Sequence, residues 1–85
     1  MARIIDGNKQ NLVGLNVARR RTELKMSQQQ LSNNLELYGV YVCRGSVSRI
    51  EDFSRTVTDI ELYALSKALN TSIESLLDKD IIDKK

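Results

Sequence analysis

Ser27-Gln28-Gln29-Gln30-Leu31-Ser32, followed after a spacer by Val42-Cys43-Arg44-Gly45-Ser46-Val47-Ser48-Arg49-Ile50-Glu51, decides the fold. Ser27 offers the side-chain oxygen of a good N-cap, and Gln30, three residues on, completes a capping-box pattern. The helix opened this way buries Leu31 and Leu35, with Leu37 or Tyr38 next on the stripe. It is expected over 28–38, with Gly39 as its stop. Val40-Tyr41-Val42 then reads as a short extended bridge, too short and isolated for a sheet. Cys43 stands at the next helix start, over 44–52, as a weaker cap than serine but of similar shape. Val47 and Ile50, three apart, face the core and leave Arg44, Gly45, Ser48 and Arg49 outward.

Upstream, Val13, Val17 and Leu24 mark one face of a helix over 12–24, with Arg20 near that stripe. Gly14 falls in its first turn, where a helix cost of about 1 kcal/mol relative to alanine is least serious. Lys25 stands where a left-handed C-cap residue is wanted. Downstream, after a loop from Phe53 to Val57, Thr58-Asp59-Ile60-Glu61 is a second capping box, opening a helix over 59–69. Leu62, Leu65 and Leu69 repeat on it at helical spacing, with Ser66 on the same face. Asn70 suits a left-handed stop, and Ser72 starts a fifth helix over 73–78 carrying Ile73, Leu76 and Leu77. The fold class is therefore all-α with five helices. Its organisation is an N-terminal arm over 1–11, a domain over 12–78 and a tail over 79–85.

Composition narrows the function. The 85 residues hold one cysteine and no histidine, which excludes an intramolecular disulfide and a Cys/His zinc site; no metal and no cofactor are expected. No apolar run approaches the ~20 residues of a membrane span, and no long apolar leader opens the chain, so a reduced, cytoplasmic setting is expected. Net charge is only +2, but five basic residues from Lys9 to Lys25 face one acid, whereas Thr71 to Lys85 carries four acids and three lysines. Such a basic half suits phosphates, or is only a solvated helix face. No nucleophile stands beside a credible base and no Gly-rich phosphate loop occurs, so catalysis is not expected.

In order and spacing, Arg21, Ser27-Gln28-x-x-Leu31, Val47-Ser48-Arg49-Ile50-Glu51, Val57-Thr58-Asp59, and Ala68-Leu69 before Ser72-Ile73-x-x-Leu76-Leu77 resemble the lambda-repressor/Cro-like (XRE-type) helix-turn-helix transcriptional regulators, over roughly residues 12–77. The resemblance implies a repressor that reads double-stranded DNA in the major groove as a homodimer. It implies that Arg44, Gly45 and Arg49, with Ser46 and Ser48 beside them, face the bases. Gln28 with Ser27 at the start of the second helix, and Arg55 in the loop, would lie along phosphates. Arg21 and Glu51 would form an internal ion pair. Three features depart from the family: a helix 2–helix 3 connection extended by about five residues, Phe53 and Thr56 where a left-handed glycine and a loop proline are usual, and the bare Gly45.

Arg44 and Arg49 stand about 140° apart around a helix, so they cannot both point straight into a groove. Arg44, in the first turn, is the better base reader, because N-terminal residues of a recognition helix reach deepest. Gly45 is either tolerated noise or room for close backbone approach or a thymine methyl. Cys43 reads as a small buried capping residue in preference to a redox switch. Phe53 is a core plug or an exposed patch. Leu76, Leu77, Ile81 and Ile82 exceed what a short helix buries, which points to a dimer interface. A rival from another class is a protein-interaction module, antitoxin-like or adaptor, docking through Phe53 and that C-terminal apolar surface. No small-molecule ligand is expected.

Overall fold

Residues 9–78 are described by the computed structural model, and they form five α-helices with no strand among them. These are α1 (Gly14–Glu23), α2 (Gln28–Glu36), α3 (Arg44–Glu51), α4 (Asp59–Ala68) and α5 (Ile73–Leu76). α3 packs against α1 and α2, α4 against α2 and α5, and α5 closes back on α1. Val13, Val17, Leu31, Leu35, Val47, Ile50, Leu65, Leu69 and Leu76 meet in one buried core. Each such side chain contributes roughly 1.5–3 kcal/mol when fully withdrawn from water.

Local chemistry opens three of the helices. Ser27 accepts from the Gln30 amide while its own amide donates to the Gln30 side chain, and Thr58 does the same with Glu61. Ser72 accepts from the Ser75 amide. α1 is opened from further upstream. The Asn11 carboxamide oxygen accepts from the amides of Val13 and Gly14, and its nitrogen donates to the carbonyls of Ile50 and Arg55. Gln10 donates to the Phe53 carbonyl as well. Gln10 and Asn11, assigned from sequence to an arm, are thus fastened to the end of α3.

Four helices stop on a left-handed residue: Lys25 (φ 56°), Gly39 (φ 80°), Phe53 (φ 67°) and Asn70 (φ 52°). In each case the following amide reaches back five residues, as Met26 does to the Arg21 carbonyl and Ser54 to that of Arg49. This is the Schellman closure. Only one of the four is glycine, and a side chain in this conformation costs about 1–2 kcal/mol.

Some expectations for the core fail. α2 ends at Glu36, and the three residues after it turn away, so Leu37 and Tyr38 are 80% and 50% exposed instead of continuing the stripe. Leu24 is exposed because it caps α1 where the chain is already leaving the helix; Met26 packs on the core in its stead. Leu76 is only 1% exposed and so is not free for a partner, while Leu77 packs against the same core but is only partly buried. α5 is a short lid that buries Leu76, while its Ile73 stays 37% exposed. Ile81 and Ile82 lie outside the described residues.

Gly14 has a role that helix propensity does not reveal. A Cβ there would collide with the Ile50 carbonyl oxygen, so the glycine sets how closely α1 approaches α3. Asn16 is buried and donates to the Leu76 carbonyl at 2.9 Å, which ties the lid to α1; its own oxygen has no partner among the described residues.

Candidate nucleic-acid interface

α3 separates two sets of side chains. Val47 and Ile50 are buried, while Arg44 and Arg49 are exposed and Gly45, Ser46 and Ser48 are partly exposed. Arg44 makes no hydrogen bond or ion pair among the described residues. Arg49 folds back toward the start of its helix, where its Nη2 donates to Ser46 Oγ at 3.2 Å. A Cβ added at Gly45 would lie 3.8 Å from Arg49 Nη1, an ordinary contact. The Arg49 guanidinium thus lies beside Gly45, turned toward the end of the helix where Arg44 stands.

The connection into α3 is well held. Val40 and Val42 are buried, and the buried Ser32 hydroxyl donates to the Val42 carbonyl at 2.6 Å. Cys43 caps α3 with extended backbone but makes no side-chain cap bond, and it is exposed, not buried as expected. Alternation in the bridge is the cause, since Val40 and Val42 take the inward positions. Its Sγ lies 3.5 Å from Ser46 Oγ, and that hydrogen bond, aided by the Ser46 amide at the helix start, holds the thiol below its usual pKa.

Behind α3, one carboxylate gathers three donors. Arg21 Nε and Nη2 reach Glu51 at 2.6 and 3.0 Å, and Gln28 Nε2 reaches it at 3.0 Å. Arg21 also donates to the Met26 carbonyl. The hydrogen bond to Glu51 holds the guanidinium above its ordinary pKa against the opposing effect of burial. Gln28 is thereby oriented by α3 at the exposed start of α2, with one Nε2 hydrogen remaining. Ser27 Oγ accepts from the Gln30 amide in the cap, which leaves its O–H to donate to an anion at the helix N-terminus.

The basic stretch before Lys25 is not an open phosphate-facing surface. Arg19 pairs with Glu23, and Arg20 shares Glu23 while donating to the carbonyls of Leu69 and Asn70 at the end of α4. Arg21 is taken by Glu51, and Lys9 lies 4.9 Å over the Phe53 ring. Arg55 is likewise paired, with Glu61 at 3.1 Å. Burial pushes the Glu61 carboxyl up, but the Thr58 amide and the Arg55 guanidinium outweigh it and hold it below the ordinary range. Phe53 is neither plug nor patch: it is partly buried, with its ring edge beside Gly14 and its face under Lys9.

Among the described residues the arginines without an acidic partner are Arg44 and Arg49, both on α3, while Lys9, Lys25 and Lys67 also have no acid within ion-pair distance. From Leu37 to Ile50 the chain carries two arginines and no acid. Sequence reasoning missed Asn11, Asn16 and the Gln28–Glu51 bond. Asn11 had a local signal, an asparagine three residues before the helix start; the other two depend on residues distant in sequence. Among the described residues no group of three or more His, Cys, Asp or Glu is arranged to hold a metal, and no helix is long and apolar enough to cross a membrane. An apolar recess of about 250 Å³, lined by Leu12, Val13, Val57, Leu62 and Leu77 among others, shares no residue with α3. Comparison with known proteins returned no matching family model, no matching curated protein and no matching solved structure.

Proposed function

We propose that the chain is a sequence-specific transcriptional regulator, a repressor of the lambda-repressor/Cro-like type that inserts α3 into the major groove of duplex DNA as a homodimer. The observation that carries this is the division of α3: Val47 and Ile50 anchor it, and Arg44, without a partner among the described residues, stands exposed in its first turn within a stretch, Leu37 to Ile50, that holds no acid. An arginine fork spanning guanine O6 and N7 is the commonest specific major-groove contact, worth ~1–3 kcal/mol of discrimination. Arg44 takes that role, with Arg49 beside it over Gly45, and Ser46 and Ser48 as shorter polar neighbours. Gln28 and the first amides of α2 brace a phosphate, positioning without specifying. Arg55 adds less than a full charge to the phosphate contacts, because Glu61 already balances it. The setting is cytoplasmic, and the chain acts without cofactor or catalysis.

Homodimerisation is part of the proposal because one short reading helix covers too few base pairs to select an operator. Leu76 is buried in the core, which leaves the partly exposed Leu77 and the Ile81–Ile82 tail as its proposed source. The rival interaction module draws support from Ile60 and Tyr63, exposed one turn apart on α4. Titrating the protein onto a random-sequence duplex at rising salt separates the two. DNA binding predicts a steep inverse dependence of affinity on salt, since neutralised phosphates release counterions. A flat, weak response contradicts it and favours the module.

A further inference from the structure

Tyr41, just ahead of the reading helix, has no role so far. It is 80% exposed, yet both its neighbours are buried, Val40 at 8% and Val42 at 4%. The backbone on either side is pinned: the Val40 amide donates to the Leu35 carbonyl at 3.1 Å, and Ser32 holds the Val42 carbonyl. A tyrosine on so fixed a segment loses little further freedom on binding, because only its own rotamers remain to be ordered. Its ring is presented outward by the alternation of an extended chain, not by a loose loop.

Its position relative to α3 suggests what it meets. Tyr41 is three residues ahead of Arg44, so their Cα atoms are at most about 11 Å apart. A major groove is about 12 Å wide. With the start of α3 in the groove and α2 packed behind it, the chain entering α3 crosses the rim, where a sugar–phosphate strand runs. The chain on either side of Tyr41 suits that strand, since Leu37 to Ile50 holds no carboxylate.

We propose that Tyr41 contacts the DNA backbone at the groove rim, its phenol O–H donating to a phosphate oxygen and its ring resting on the adjoining sugar. This rests on the major-groove placement of α3. The extended α2–α3 connection then belongs to the DNA-binding surface, and its extra residues serve to carry Tyr41 to the rim.

The test compares wild type, Tyr41→Phe, Tyr41→Ala and Arg44→Ala on a duplex selected from a random pool and on a random duplex, across a salt series. Thermal melts should coincide for the two Tyr41 variants and wild type, because the side chain is exposed. Tyr41→Phe should weaken both duplexes about five- to tenfold, with Tyr41→Ala at least as weak. The salt slope should stay unchanged, because no charge is removed. Replacing single phosphates by methylphosphonates should reveal one rim position whose neutralisation weakens wild type but not Tyr41→Phe. If both Tyr41 variants bind as wild type while Arg44→Ala loses its preference, the Tyr41 proposal is overturned and the DNA-binding proposal stands. Wild type that binds no duplex overturns both. A loss confined to the selected duplex would move Tyr41 from backbone to base and overturn the rim assignment.

Discussion

Gly14 and Gly45 are both helical glycines, and substitution should act on them in opposite directions. An added Cβ at Gly14 would meet the Ile50 carbonyl, so Gly14→Ala should destabilise by about 1–3 kcal/mol through overpacking, despite a propensity gain of about 1 kcal/mol. At Gly45 the nearest atom would be 3.8 Å away, so Gly45→Ala should stabilise by about 1 kcal/mol. Urea midpoints check both. Close backbone approach to DNA further predicts that Gly45→Ala binds its duplex more weakly than wild type; a more stable variant with unchanged affinity removes Gly45 from the readout. Nothing local in the sequence separates these two positions. The distinguishing atom at Gly14 belongs to α3, 36 residues along the chain. Lys25 and Asn70, by contrast, were legible as left-handed stops, because that signal lies in the residues flanking the helix end.

Between elements, the Arg21–Glu51 bond ties α1 to the end of α3, with side chains only 18% and 10% exposed. Arg21→Met should cost about 3–5 kcal/mol, since Glu51 is left buried with Gln28 alone. A double variant that also carries Glu51→Leu should recover much of that loss in chemical denaturation; no recovery would count against a stranded charge. At the start of α4, Glu61 has a lowered pKa in the folded chain. Its stabilising contribution is therefore full above the unfolded-state value, about 4.3, and is lost as pH falls through the lower folded-state value. Glu61→Gln keeps a capping-box residue but does not titrate. The drop in melting temperature from pH 6 to pH 3 should be smaller for this variant than for wild type. The starts of α2, α4 and α5 were plain in sequence because a cap and its partner are three residues apart. The end of α2 was less so: Leu37 and Tyr38 match the apolar period, but Gly39 turns the chain before they reach the core.

For the whole molecule, charge was the least legible property. Lys9 to Lys25 looks basic in sequence, yet the fold spends Arg19, Arg20 and Arg21 on Glu23, the end of α4 and Glu51. The arginines left without an acidic partner among the described residues are those of α3, and a single copy offers one such helix. Truncation after Asp80 removes Ile81 and Ile82 and should weaken self-association in sedimentation velocity while helix content by circular dichroism stays nearly constant. Unchanged association would shift the contact to the exposed Ile60 and Tyr63 of α4. The most direct test of DNA reading by α3 is selection of duplexes from a random pool by wild type and by Arg44→Ala. The predicted result is that wild type enriches a repeated half-site, its two copies about one helical turn, ~34 Å, apart. Arg44→Ala should lose the guanine preference within each half while keeping its affinity for random DNA. A wild-type pool with no enriched sequence, or an Arg44→Ala pool with the same sequence enriched to the same degree, would contradict it.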